Sequence, residues 1–390
     1  MRRAPLRCAG RYAARMSKPV RDSLELPERL LLGPGPSNVH ARVRSAMSRP
    51  LLGHLDPAFL ALLDECQDHL RTLFGTSNAF TLPLSATGSA GMEACLVNLL
   101  ERGDRFVVGV NGVFGGRMAD VAERAGAEVT KVEAEWGTPL DPGAMAEAIE
   151  RVQPKVVAFV HAETSTGVRQ DPAPIAEAAR AAGALVVLDC VTSLAGLPVE
   201  LDAWGIDAAY SGTQKCLSVP PGLSPVSFSE RALDAVRARK TPVQSWYLDV
   251  GLLGGYFGGE RVYHHTAPIS SIYGLTEGLR VIAEEGLEAR VARHAEAATA
   301  LVDALSPLGF KPLVDAVHRL PMLTSMQLPD AVQERGEADV RRVLLQEHGI
   351  EVGGGLGALA GRIWRIGLMG ENARLDRVEQ LASALTSVLD

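Results

Sequence analysis

Between residues 56 and 189 the apolar positions switch repeatedly between a helical and a strand-like period. Asp56-Pro57 predicts a helix start, with Asp as N-cap and Pro at the first helical position. Phe59, Leu62, Leu63, Cys66, Leu70 and Leu73 then recur at helical spacing. A short strand, Phe80 to Leu84, meets a loop of small residues, Ser85-Ala86-Thr87-Gly88-Ser89, and a helix follows to Leu100. The alternation continues as strand 106–110, helix 116–125, strand 128–133, helix 141–151 (a second Asp-Pro start), strand 155–161, helix 172–182 and strand 184–189. Strands alternating with helices of this length predict crossover units and a mainly parallel sheet, hence an α/β fold. Val156 to Val160 and Leu185 to Leu188 are apolar throughout, as strands covered on both faces are. Ligands of such sheets bind beyond the carboxyl ends of the strands. That rule points to residues 85–89, 163–167, 189–193 and the segment after Tyr210.

The pattern then changes. Residues 240–270 are rich in Gly and aromatics (Trp246, Tyr247, Tyr256, Phe257, Tyr263) and read as irregular, at an interface. From Thr276 onward, helical periods over 276–285, 287–305, 338–348 and 375–389 flank strands at 322–328 and 363–366. This predicts a large domain over 26–284 and a smaller α+β domain over 285–390, preceded by an extension over 1–25. No internal repeat is present.

Composition narrows the class. With 47% hydrophobic and 22% charged residues the chain is globular rather than disordered. No uninterrupted apolar run reaches the ~18 residues of a spanning helix, so no membrane partner is expected. A net charge of −7 argues against nucleic-acid binding driven by bulk charge. The extension carries Arg2, Arg3, Arg7, Arg11, Arg15, Lys18 and Arg21 with no acid between them. Transit peptides share that bias, yet this segment is poor in Ser and Met16 offers a second start. The expectation is a cytoplasmic protein, or a mitochondrial one if the source is eukaryotic and residues 1–21 act as a leader. Five scattered cysteines without a CxxC suggest no disulfide framework or zinc site, and a reducing compartment.

Three features carry chemistry in order. The 85–89 turn joins strand to helix, where unpaired N–H groups favour an anion. Asp189 ends a buried strand and faces the ligand crevice. Lys215 lies 26 residues on, in Tyr210-Ser211-Gly212-Thr213-Gln214-Lys215, in a chain with only six lysines. A desolvated lysine forms an imine at neutral pH, and arginine does not. A phosphate turn, a strand-end carboxylate and a loop lysine are what a pyridoxal phosphate enzyme needs.

The chain resembles class V aminotransferases of fold type I, and within them the alanine–glyoxylate (serine–pyruvate) branch. The resemblance is carried by Leu30-Leu31-Leu32-Gly33-Pro34-Gly35-Pro36-Ser37-Asn38, Ala94-Cys95-Leu96-Val97-Asn98, Ser165-Thr166-Gly167-Val168, Ser211-Gly212-Thr213-Gln214-Lys215, Pro220-Pro221-Gly222, Tyr263-His264-His265-Thr266 and Arg365-Ile366-Gly367-Leu368. It implies a pyridoxal 5′-phosphate cofactor, small amino acid and 2-oxo acid substrates, and a homodimer. By it Lys215 forms the imine and Asp189 partners the pyridine nitrogen. Thr87, Gly88, Ser89 and Gln214 hold the phosphate, and Tyr263 and Thr266 reach the phosphate of the other subunit. Phe114 stacks on the ring where the animal enzymes carry Trp, and Thr164 stands where they carry Ser. Gly35 lies near the substrate carboxylate and Arg365 binds it. The preceding Gly353-Gly354-Gly355 suggests close approach of backbone to ligand.

Other readings fare worse. Gly355-x-Gly357-x-x-Ala360 mimics a dinucleotide fingerprint, but too few residues follow it. His161-Ala162-Glu163 starts like a zinc-deaminase signature without the Pro-Cys-x-x-Cys that should follow. His264 and His265, read as strand neighbours, would point to opposite faces and share no metal. Cys216 reads as a small buried hydrophobe. A cysteine desulfurase needs a cysteine well beyond the lysine, and none follows Cys216. A cofactor-binding regulator would not need both Lys215 and Arg365. Ureidoglycine–glyoxylate transamination, or another class V pyridoxal phosphate reaction, remains the alternative within the family.

Overall fold

The computed structural model describes residues 25–389, so the arginine-rich segment 1–21 lies outside the described residues. The alternating half of the chain builds a seven-stranded sheet. Its order is Phe80–Leu84, Ser224–Phe228, Ala208–Tyr210, Leu185–Asp189, Val156–Val160, Arg105–Val110 and Glu128–Glu133. All strands run parallel except Ser224–Phe228, which is antiparallel to both of its neighbours. Phe80–Leu84 therefore points the same way as the rest, and the carboxyl ends of six strands share one edge. The strands that carry the apolar runs 156–160 and 185–188 are buried along their whole length, Asp189 included, because helices cover both faces.

Local rules explain the helices. Asp56 and Asp141 cap Pro57–Phe74 and Pro142–Val152, accepting from Ala58 N in one case and Gly143 N and Ala144 N in the other. The first of these helices ends at Gly75 in the left-handed region (φ 56°).

A second sheet has the order Leu30–Leu32, Ile350–Gly354, Ile363–Gly367, Leu323–Gln327 and Lys311–Pro312. Helices Leu287–Leu305 and Leu375–Leu389 pack beside it around a separate apolar cluster that includes Trp364, Phe310, Leu301 and Leu381. Leu30–Leu32 pairs in parallel with Ile350–Val352. The strand that the 26–284 division gives to the large unit is thus bonded to the second sheet, because pairing and not chain order sets membership.

Two expectations need correction. The segment 240–270 is not wholly irregular: Val250–Phe257 is a helix, started by Asp249, whose side chain accepts from Gly251 N and Leu252 N. The helix expected from Thr276 begins at Ile269. Its glycines, which argue against helix by propensity, serve packing. A Cβ at Gly274 would sit 2.7 Å from Met47 Cγ, and one at Gly278 2.5 Å from Val219 Cγ2.

The same trade predicts a measurable contrast. Alanine outranks glycine by ~1 kcal/mol inside a helix. At Gly91, however, a Cβ would lie 2.1 Å from Ser224 Oγ and 3.1 Å from Tyr210 Cβ. Gly91→Ala should lower stability by ~1–3 kcal/mol in urea unfolding through overpacking. Gly116→Ala, facing open space in helix Val113–Ala125, should leave it unchanged or raise it by up to ~1 kcal/mol.

Candidate active site

The strand ends deliver their loops to one edge, and Lys215 sits on the loop after Ala208–Tyr210. Three successive carbonyls of that loop are held from outside it. Gln214 O accepts from Ser37 N (2.9 Å), Lys215 O from Ser37 Oγ (2.9 Å), and Cys216 O from Arg290 Nη2 (2.6 Å). The Lys215 side chain is buried, and its Nζ donates to Pro34 O. Gly35 covers it with φ +105°, a conformation that favours glycine, and a Cβ there would be 2.7 Å from Lys215 Cδ. Burial, helped by the positive charge of Arg365, pulls the Lys215 pKa down to about 8.

Asp189 and Tyr210 are register partners on adjacent strands. The Tyr210 hydroxyl donates to Asp189 Oδ2 (2.7 Å), and Val191 N donates to Oδ1 (2.8 Å). Burial raises the Asp189 pKa to about 6 against these two hydrogen bonds, so the carboxylate stays largely ionised at neutral pH.

The 85–89 turn opens helix Gly88–Leu99 with Thr87 as N-cap. Its side chain makes no capping bond, which leaves the first N–H groups for a ligand. Gly88 packs close to the lysine loop, since a Cβ would lie 3.3 Å from Ser211 O. Thr87 and Ser89 are exposed at the mouth. Gln214 Oε1 and Ser193 Oγ, on the loops beside this turn, are buried without a partner. An uncapped helix start, a glycine roof and orphaned polar atoms beside a desolvated lysine fit a phosphate-bearing cofactor.

Arg365 comes from the second sheet. Its Nε donates to Gly354 O (2.8 Å) and its Nη1 to Thr164 O (3.3 Å). Thr164 is buried and pairs its hydroxyl with that of Thr192 (2.7 Å). Phe114 lies in the first turn of helix Val113–Ala125, with the Arg117 guanidinium 4.9 Å from its ring centroid. Two of the glycines before Arg365 are needed by the protein's own packing: a Cβ at Gly353 would meet Pro34 Cδ at 2.4 Å, and one at Gly355 would meet Leu359 O at 2.0 Å. Cys216 is buried, and burial pushes its thiol up to about 12.

Gly35 lies against Lys215, Arg365 bonds to Thr164, and the charges of Arg365 and Asp189 both act on Lys215, so these five residues share one site. Tyr263 and Thr266 are not joined to them: both are exposed on the single chain, and the Tyr263 ring lies 5.3 Å from that of His54. His264 and His265 do not point apart as strand neighbours would. The segment is not a strand, and their Nδ1 atoms are 2.8 Å from each other, with His265 Nε2 2.7 Å from Ser85 Oγ. Sequence reasoning missed Ser37, Glu163, Tyr210 and Arg290. Glu163 and Tyr210 had a signal in their places at strand ends and Ser37 in the motif from Leu30 to Asn38, whereas Arg290 had none. A surface cavity of about 510 Å³ between helices 41–47, 57–74 and 269–285 contains none of these residues. Its arginines 42 and 280 are paired with Glu277, Glu284 and Glu65.

The chain belongs to the class V aminotransferases: the family model "Aminotransferase class-V" matches residues 38–368. It is accordingly an aminotransferase of α/β fold type I that uses pyridoxal phosphate. It is 39% identical over 387 residues to the (S)-ureidoglycine–glyoxylate transaminase of Bacillus subtilis, spanning 95% of this chain and 92% of that one. It is 39% identical over 371 residues to the alanine–glyoxylate aminotransferase of Drosophila melanogaster, spanning 94% and 93%. The crystal structure of an alanine–glyoxylate aminotransferase from Nostoc sp. superposes with a TM-score of 0.93 at 49% identity, over 97% of this chain and 99% of that one. Among the described residues no helix is long and apolar enough to cross a membrane.

The depressed lysine is testable directly. Acylation of the apoenzyme at Lys215, followed by peptide mapping across pH, should show a midpoint near 8, the neutral amine forming above it. An exposed lysine would titrate near ~10.4, and such a midpoint would show that Lys215 is not desolvated. Borohydride treatment of the holoenzyme should leave the cofactor on the Lys215 peptide and on neither Lys155 nor Lys240.

Proposed function

We propose that the protein moves the amino group of a small amino acid, alanine or serine, to a small 2-oxo acid, glyoxylate or pyruvate, in two alternating half-reactions. The observation that carries this reading is Arg365. Its Nε and Nη1 are spent on Gly354 O and Thr164 O, which fixes the guanidinium beside buried Lys215. A planar guanidinium so held takes a carboxylate, the group that all these substrates share. The glycine roof at Gly35 supports a small substrate.

Bound pyridoxal phosphate supplies the electron sink for the substrate α-carbon. Lys215 Nζ removes and returns the α-proton, and a pKa near 8 suits that exchange at neutral pH. Asp189 holds the pyridine nitrogen, with its carboxylate oriented by Val191 N and the Tyr210 hydroxyl. Thr87, Gly88, Ser89 and Gln214 hold the phosphate. Phe114 covers the ring, and Thr164 lines the side shared by cofactor and substrate.

The working unit is a homodimer in which Tyr263 and Thr266 of the second copy reach the phosphate. Exposed Leu51, Leu55, Trp246 and Tyr263 support it. Tyr263, His54, Tyr256, His265, His264 and Trp246 form a continuous chain of ring contacts that runs inward from exposed Tyr263 and Trp246 through buried Tyr256 and His264, and His265 reaches Ser85. Two separate apolar clusters support the division into a large cofactor domain and a small one. The free thiols Cys66, Cys95, Cys190 and Cys216 fit a reducing compartment such as the cytoplasm.

Ureidoglycine as donor is the second reading, favoured by the equal identity, 39%, to the Bacillus enzyme. A panel of alanine, serine and ureidoglycine against glyoxylate and pyruvate decides between them by kcat/KM.

Arg365→Lys keeps the charge and loses the fork. It should lower kcat/KM by ~10- to 100-fold, about 1.4–2.7 kcal/mol, through a higher KM for both substrates. Cofactor affinity should hold; cofactor loss with normal KM would make Arg365 structural. Asp189→Asn should lower kcat by at least ~100-fold, and near-normal turnover would refute its role.

A further inference from the structure

Glu163 is a fully buried carboxylate at the strand ends, and none of the roles above uses it. Its Oε1 accepts from Ser165 N (3.0 Å) and Ser165 Oγ (2.6 Å), and its Oε2 accepts from Phe114 N (3.1 Å). Ser165 Oγ in turn accepts from Val113 N (2.9 Å), so the single hydroxyl proton of Ser165 goes to Glu163. Every partner is a donor, and the arrangement calls for the ionised carboxylate even though burial pushes its pKa up.

These bonds form a cap built from outside the helix. Helix Val113–Ala125 has Gly112 as its N-cap, which has no side chain to offer. A Cβ at Gly112 would stand 2.4 Å from Ser165 Oγ and 2.5 Å from Glu163 Cγ and Cδ. Glycine leaves the space, and Glu163 with Ser165 fills it, putting negative charge at the positive end of the helix. Phe114 is the second residue of that helix, so the cap fixes the backbone from which its ring projects.

The same hairpin reaches Arg365 on its other side. Thr164, between the two capping residues, gives its carbonyl to Arg365 Nη1. The Glu163 charge also acts on Arg365 and favours its cationic form.

We propose that Glu163 is a positioning residue which, from one buried carboxylate, sets both the seat of the Phe114 ring over the cofactor and the pose of Arg365 toward the substrate carboxylate. The proposal rests on the roles given above to Phe114 and Arg365.

Glu163→Gln keeps the volume, removes the charge and turns one acceptor into a donor that faces N–H groups. A lost hydrogen bond to a charged group corresponds to roughly tenfold or more. Three readings on purified holoenzyme test the idea: release of pyridoxal phosphate, the induced circular dichroism of the visible cofactor band, and KM for glyoxylate. The expected result is release about tenfold faster, a visibly weakened dichroic band and KM raised about tenfold. Ser165→Ala removes the capping hydroxyl but leaves the charge. It should weaken the dichroic band while KM stays within about twofold of wild type. Unchanged release, dichroism and KM in Glu163→Gln would overturn the proposal, including when only the melting temperature falls. If that variant does not fold, an unchanged dichroic band in Ser165→Ala overturns it instead. A wild-type protein that turns over no donor with glyoxylate would remove the proposed reaction, yet the release and dichroism readings would still judge Glu163.

Discussion

The desolvation of Lys215 is the constraint on which the rest depends. An ammonium group taken out of water is unfavourable, and the protein answers by making the amine easier to deprotonate, with a pKa near 8. That works only if the lysine cannot escape to solvent. Ser37 and Arg290 tie down the carbonyls of Gln214, Lys215 and Cys216, and Pro34-Gly35 closes over the side chain. The loop pays for this with Ser218 in the left-handed region (φ 53°), and nearby Ala195 lies there too (φ 66°). Such conformations persist where surrounding bonds over-determine them. Arg290 supplies one of those bonds, to Ala195 O, and Glu371 N donates to Ser218 Oγ.

The second sheet is therefore part of the site rather than an appendage. It supplies Arg365 and includes Leu30–Leu32, and the helix packed beside it supplies Arg290. The segment after Leu32 carries Pro34, Gly35 and Ser37 onto the lysine. Gly367 and Gly353 let that segment come close: a Cβ at Gly367 would lie 2.1 Å from Gly33 O, and one at Gly353 2.4 Å from Pro34 Cδ. Positions from opposite ends of the chain thus meet over one amine.

Charge balance completes the picture. Two buried carboxyl groups, Asp189 and Glu163, and the Arg365 guanidinium all act on Lys215, and each carboxyl group accepts a hydrogen bond from another segment, from Tyr210 and Phe114 respectively. The donors keep the carboxylates available as charges in a setting that by itself would neutralise them.

Much of this was legible in the sequence because it is local or periodic. The two Asp-Pro caps, the apolar runs 156–160 and 185–188, and the order of turn, carboxylate and lysine follow from neighbours along the chain. The motifs from Leu30 to Leu368 carried the family likeness, and with it Gly35, Thr164, Phe114 and Arg365. Tertiary structure alone decided the rest. Helix 250–257 was hidden by its glycines, and the early start at Ile269 by glycines that packing against Met47 and Val219 explains. The antiparallel strand 224–228 and the membership of Leu30–Leu32 depend on pairing partners far away in sequence. Ser37, Arg290 and Glu163 gained their roles from bonds across 178, 74 and 49 positions, to Lys215, Cys216 and Phe114 in turn. Residue type and spacing fix what a segment can form alone. Which buried donor meets which buried acceptor is settled only when the two sheets close on each other and water is gone.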